Sequence, residues 1–125
     1  MGREKKAIGA CGEEAARRFL KARGYRILGA NVRTPFGELD IVARHNGFTV
    51  FVEVKTRISS SLGPPYISVT KLKERHLIKN GLFYLKRYGF VNSNWRVDIV
   101  SVMLDGAGET ARIELIENAV QNDGY

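Results

Sequence analysis

The chain has 125 residues, 44% of them hydrophobic, with 20 Lys and Arg against 13 Asp and Glu and a formal net charge of +7. That length supports a single domain over 1–125 and excludes two independent cores. Its one cysteine, Cys11, excludes an internal disulfide and a cysteine zinc cluster, and no run approaches the ~18 apolar residues of a membrane span.

Met1-Gly2-Arg3-Glu4-Lys5-Lys6 leads into Glu13 and Glu14 instead of a signal-peptide apolar region, and Lys6 stands where a myristoylation signal wants Ser or Thr. A cytoplasmic protein with no membrane attachment is expected. The basic balance points to a polyanion partner, nucleic acid first, although charge carried for solubility alone would give the same totals.

Residues 6–23 read as a helix, with Ile8, Ala15, Ala16, Phe19 and Leu20 on one apolar stripe and Gly24 as the stop. Cys11 is expected to pack as a small apolar residue of that helix. Glu13 falls on the margin of the stripe, which suits a site at the helix–sheet boundary and equally suits a surface glutamate. A strand over 25–32 follows, then the turn Thr34-Pro35-Phe36-Gly37 and a hairpin over 37–57. The loop Ser59-Ser60-Ser61-Leu62-Gly63-Pro64-Pro65 begins just after that hairpin, where it would lie beside a bound substrate.

A second helix is expected over 68–88, capped by Ser68 and ended by Gly89, with Val69, Leu72, His76 and Phe83 on one packed stripe. Lys71, Arg75, Lys79 and Lys86 share about 80° of its circumference, a stripe able to track a phosphate backbone or simply to face solvent. Strands over 94–104 and 110–116 complete the pattern, and 121–125 should fray. Asp98 is expected to be structural, pairing with Arg96 or another basic group, His45 to be a turn residue and Trp95 to be core.

The hairpin carries the chemistry. Both of its runs alternate in residue type and they flank Asn46-Gly47, the preferred two-residue turn. Counting back from His45 opposite Phe48 places Asp40 opposite Glu53 and Glu38 opposite Lys55. Directly opposed residues have Cβ atoms about 4.5–5.5 Å apart, and two like charges there are unfavourable unless a positive charge lies between them. A hard divalent cation such as Mg²⁺ or Mn²⁺ takes one or two carboxylates and leaves the remaining positions to water and phosphate oxygens. Lys55 shares a strand face with Glu53, within reach of such a water or of a scissile phosphate. The pattern is that of metal-assisted phosphodiester hydrolysis, weighed against the Glu and Lys residues that ordinary solvated hairpins carry.

The order helix, three antiparallel strands, helix, two further strands resembles the restriction-endonuclease-like α/β fold with a mixed sheet. Gly12-Glu13 with Ala16 and Leu20, Gly24-Tyr25, Asn31, Gly37-Glu38-Leu39-Asp40-Ile41-Val42, Phe51-Val52-Glu53-Val54-Lys55-Thr56-Arg57, Val69-Thr70 with Lys73, and Arg96-Val97-Asp98-Ile99-Val100 resemble the YraN family of bacterial proteins over nearly the whole chain. The chain is more distantly similar to archaeal Holliday junction resolvases. The resemblance implies a catalytic set of Glu13, Asp40, Glu53 and Lys55, with metal on Asp40 and Glu53 and Glu38 orienting Lys55. Leu39 stands where many nucleases of this fold have Pro. A Mg²⁺- or Mn²⁺-dependent DNA endonuclease acting on branched intermediates is the expected function, with Arg57, Lys71, Lys73, Arg75 and Lys79 against nucleic acid. A homodimer would suit a two-fold junction. A non-catalytic nucleic-acid-binding protein, or an interaction module in DNA uptake or repair, is the alternative.

Overall fold

Ile41, Val42 and Ala43 are fully buried in succession, and Val50, Phe51 and Val52 are no more than 2% exposed. Neighbouring strand residues point to opposite faces, so consecutive buried residues require cover on both sides of a sheet. The computed structural model describes residues 2–58, 70–90 and 92–120, with side chains from Ala7 onward. It supplies this cover with one helix packed on each face of a five-stranded sheet.

The elements are α1 (Gly2–Ala22), β1 (Arg26–Thr34), β2 (Gly37–His45), β3 (Phe48–Ile58), α2 (Lys71–Arg87), β4 (Asn94–Leu104) and β5 (Thr110–Ile116). The strands lie in sequence order, antiparallel at every pairing except β3 with β4, which is parallel. A parallel pair needs a crossover, and α2 provides it. The expected α/β class and mixed sheet hold. The turn also forms as expected, with Asn46 (φ 50°) and Gly47 (φ 81°) both left-handed and His45 paired with Phe48.

On one face, Ala16 and Leu20 of α1 pack on Ile41, Ala43, Val50, Val52, Val100 and Val102, with Ile8, Ala15 and Phe19 alongside. This is the stripe the helical spacing predicts. On the other face, Leu77, Ile78, Tyr84 and Leu85 of α2 pack on Leu39, Val42, Phe51 and Val97, and Trp95 borders that cluster. None of the described helices is long and apolar enough to cross a membrane.

Three expectations need correction. Cys11 is exposed, because it sits on the solvent side of α1 and not among its packed residues. Helix α2 begins at Lys71, with the Thr70 hydroxyl accepting the Lys73 N–H at 3.1 Å as its cap, so Ser68 does not cap it. Burial in α2 starts only at Leu77, leaving Leu72 64% exposed and His76 in solvent. Ser68, Val69, the loop 59–65 and the terminus 121–125 lie outside the described residues.

On β4, Asp98 is fully buried. It accepts hydrogen bonds from Arg96 Nε (3.0 Å), the Tyr25 hydroxyl (2.8 Å) and the Asn118 amide (2.9 Å). The expected Arg96 partnership is therefore correct. Arg96 also donates to His45 Nδ1 at 2.8 Å, and the His45 ring stacks on Tyr25 at 3.9 Å. Because arginine can only donate, that nitrogen carries a lone pair. Burial and the Asp98 carboxylate together push the Tyr25 hydroxyl pKa up. With every partner satisfied, the cluster fixes how α1 enters β1 and how β4 is seated.

Helix α2 approaches β3 closely enough that a Cβ on Gly81 would lie 2.7 Å from two ring carbons of Phe51. Helix propensity alone would make Gly81→Ala stabilising by about 1 kcal/mol, but overpacking a filled core costs about 1–3 kcal/mol. Gly81→Ala should therefore lower the chemical-denaturation midpoint. A midpoint at or above that of wild type would show that Phe51 yields freely.

Candidate functional site

The β2–β3 ladder runs from His45 with Phe48 to Ile41 with Val52 and stops there. The expected backbone pairing of Asp40 with Glu53 is not made. The Asp40 carboxylate instead accepts the Val54 N–H at 2.9 Å, replacing a strand partner with a side chain. Beyond this point β2 stays paired with β1 as far as Thr34 and Gly37, so it departs from β3. Asn31 lies between the β1–β2 pairs Ala30–Ile41 and Val32–Leu39, in the left-handed region at φ 52°.

The parting of β2 from β3 opens a cleft of ≈ 500 Å³ lined by Ile8, Gly9 and Glu13 of α1, by Asp40, and by Glu53 through Ile58 of β3. Helix α1 comes this near because Gly12 has no side chain. A Cβ there would fall 1.8 Å from Thr56 Oγ1 and 2.6 Å from Thr56 Cγ2. That contact sets Glu13, the next residue, at the cleft.

Glu53 is 4% exposed. Its Oε1 lies 3.5 Å from Lys55 Nζ and 3.3 Å from Lys73 Nζ. Burial, followed by the charge of Glu53, pushes the Asp40 carboxyl up to about 7, and Glu13 adds to the effect. The Val54 N–H and, more weakly, Lys73 oppose the rise. Asn31 links the remaining acids. With its amide nitrogen turned toward them, it donates to Glu13 Oε2 and Glu38 Oε1, both at 3.1 Å.

Glu13, Asp40, Glu53 and Lys55, expected to act together, thus line one cleft, and Arg57 lines it too. Glu38 does not lie opposite Lys55. It pairs with Arg33 across β1–β2, with its carboxylate 3.8 Å from that guanidinium, because β2 has left β3 by this point. Its support for the site runs through Asn31. Lys73, expected against nucleic acid, reaches into the acidic cluster, 3.3 Å from Glu53. Lys71 pairs with Glu74 at 3.5 Å, while Arg75 and Lys79 are exposed. Sequence reasoning gave no role to Asn31 or to Gly12. An asparagine in a strand and a glycine within a helix were the available signals, since each opposes its local propensity.

Among the described residues, no three Asp, Glu, His or Cys side chains converge into a complete metal-binding group. A hard divalent cation does not need one, because it takes one or two carboxylates and completes its shell with water and phosphate. Asp40 and Glu53 fit that demand. Their oxygens suit a hard ion, and burial followed by the charge of Glu53 disfavours a bare carboxylate at Asp40.

The element order and a cleft bearing Asp40, Glu53 and Lys55 beside a helix glutamate place the chain in the restriction-endonuclease-like class of α/β folds. Residues 12–102 match the sequence profile of "Uncharacterised protein family UPF0102", and the chain belongs to that family, the YraN family. A UPF0102 protein of Desulfosudis oleivorans is 43% identical over 119 residues, covering 95% of this chain and 94% of the relative. One from Caldicellulosiruptor saccharolyticus is 42% identical over 115 residues (92% and 98%), and one from Pelobacter propionicus is 46% identical over 115 residues (90% and 81%).

A carboxyl whose pKa is raised by folding favours its protonated form, so its contribution to stability is full below its ordinary value of 3.8 and is lost as pH rises through about 7. Asp40→Asn keeps an acceptor for the Val54 N–H and removes the charge. In metal-free buffer at pH 8 it should melt above wild type, with the gap closing toward pH 4. Mg²⁺ or Mn²⁺ should raise the wild-type melting temperature and leave that of the variant unchanged. A gap that does not depend on pH would contradict this electrostatic account.

Proposed function

We propose that this protein is a Mg²⁺- or Mn²⁺-dependent endonuclease acting on DNA, with branched or recombination intermediates as its substrate class. The observation that carries the reading is the gathering of Asp40, Glu53 and Lys55 at one cleft, with Glu13 brought to the same cleft by α1. Asp40 and Glu53 would hold the ion. Once bound, such an ion polarises a phosphoryl oxygen and lowers the pKa of its water.

The chain's own groups do the remaining work. Lys55, 3.5 Å from Glu53, would stabilise negative charge developing on the phosphate or orient the attacking water. Arg57 lies along the same wall of the cleft and would hold an adjacent phosphate. The exposed Arg75 and Lys79, with Lys71, extend the positive surface along α2. A junction with two-fold symmetry would call for two such sites, hence a homodimer.

A second reading has one observation in its favour. Glu53 is paired with both Lys55 and Lys73, so the same residues suit a docking surface for nucleic acid that performs no chemistry.

The two readings separate on Lys55. In single-turnover reactions on a four-way junction, Lys55→Ala should lower the rate by about 10²-fold or more while affinity in Ca²⁺ changes little. Wild-type protein that binds duplex, single-stranded and junction DNA yet cuts none of them in Mg²⁺ or Mn²⁺ would leave the docking reading in possession. Substituting Lys71, Arg75 and Lys79 together with Ala should weaken binding and flatten the slope of log affinity against log salt by about one unit for each true phosphate contact. An unchanged slope would assign that stripe to solvent.

A further inference from the structure

Two ammonium groups from different elements face one oxygen of Glu53. Lys55 Nζ, from two residues along β3, is 3.5 Å from Glu53 Oε1, and Lys73 Nζ, from the first turn of α2, is 3.3 Å from it. Their freedom differs. The Lys55 side chain is 25% exposed and that of Lys73 is 45% exposed, while the Glu53 side chain is only 5% exposed.

A divalent ion held by Asp40 and Glu53 would bring two positive charges to within a few ångströms of both ammonium groups. Like charges at that range in a partly buried site repel strongly, so the arrangement around Glu53 Oε1 cannot persist unaltered. Lys55 is held on the same strand face as Glu53. Lys73 projects from a separate helix with nearly half of its side chain in water, and it has room to withdraw.

We infer that Lys73 is an exchangeable counter-ion, which neutralises Glu53 when the cleft holds no cation and, once displaced by one, presents its ammonium to a backbone phosphate of the bound nucleic acid. The inference rests on the metal-dependent reading above. It gives Lys73 a role distinct from the outer stripe of α2, whose lysines touch no acid of the cleft. It also explains how a nearly buried carboxylate is tolerated before an ion arrives, since an unpaired charge at that depth would be strongly unfavourable.

The inference predicts effects of opposite sign from one substitution. Lys73→Met keeps the aliphatic stem and removes the charge. Titration calorimetry with Mn²⁺ and no nucleic acid should show Lys73→Met binding the ion about tenfold more tightly than wild type. Lys86→Met, which deletes the same charge at the far end of α2, should stay within about twofold of wild type. Affinity for a four-way junction in Ca²⁺ should fall about tenfold in Lys73→Met. Mn²⁺ binding by Lys73→Met and not by wild type would also support the exchange.

Equal or weaker Mn²⁺ binding by Lys73→Met, when wild type binds the ion, overturns the exchange and leaves the nuclease reading standing. A matching gain in Lys86→Met reduces the effect to bulk charge and overturns it as well. Unchanged junction affinity overturns the phosphate contact. Absence of Mn²⁺ binding by both wild type and Lys73→Met overturns the inference and the metal-dependent reading together.

Discussion

The site depends on one substitution of partner: the Val54 N–H bonds to the carboxylate of Asp40 at 2.9 Å, beyond the last β2–β3 backbone pair. A backbone donor at the edge of a core must find an acceptor, and a side-chain oxygen satisfies it as well as a carbonyl does. Because a side chain fills the role, the β2 backbone is free to follow β1, and the space it leaves becomes the cleft. The same bond holds Asp40 beside Glu53 in spite of their mutual repulsion, so the geometry that opens the cleft also brings two carboxylates together.

Several compensations surround that charge, each from a different element. Lys55 comes from β3 itself, Lys73 from the helix that crosses between the parallel strands, and the Asn31 amide from β1. Glycine at position 12 lets α1 close the remaining side. No single segment holds the cluster, so its geometry belongs to the folded chain as a whole. Sites built in this way keep their spacing through rigid strands and helices more than through loops.

Much of this was legible in the sequence, and the limit of what was legible has a physical form. Hairpin register follows from local rules, and Asn46-Gly47 fixed it correctly from His45–Phe48 to Ile41–Val52. Extrapolating one pair further failed, because a strand keeps its register only while backbone bonds tie it, and Asp40 ends that tie. The error passed on to Glu38, which was placed against Lys55 and in fact faces Arg33 and Asn31. The stripe on α1 was correct because that helix has one apolar face. Helix α2 was harder to read, since Leu72 and His76 match its periodicity yet lie in the turn that precedes the buried stretch. Lys73 looked like one more base on a basic helix. Its contact with Glu53 joins residues from separate elements, and no local pattern encodes that.

The Val54 amide has one further property. Amide protons along the paired strands bond to carbonyl oxygens, which do not titrate, whereas this one bonds to a carboxyl pushed up to about 7. Its nuclear magnetic resonance frequency is therefore tied to the protonation of Asp40, on which the neighbouring charge of Glu53 bears. The backbone of β3 thus carries a native spectroscopic probe, placed by the fold without any label, at the point where β2 and β3 part.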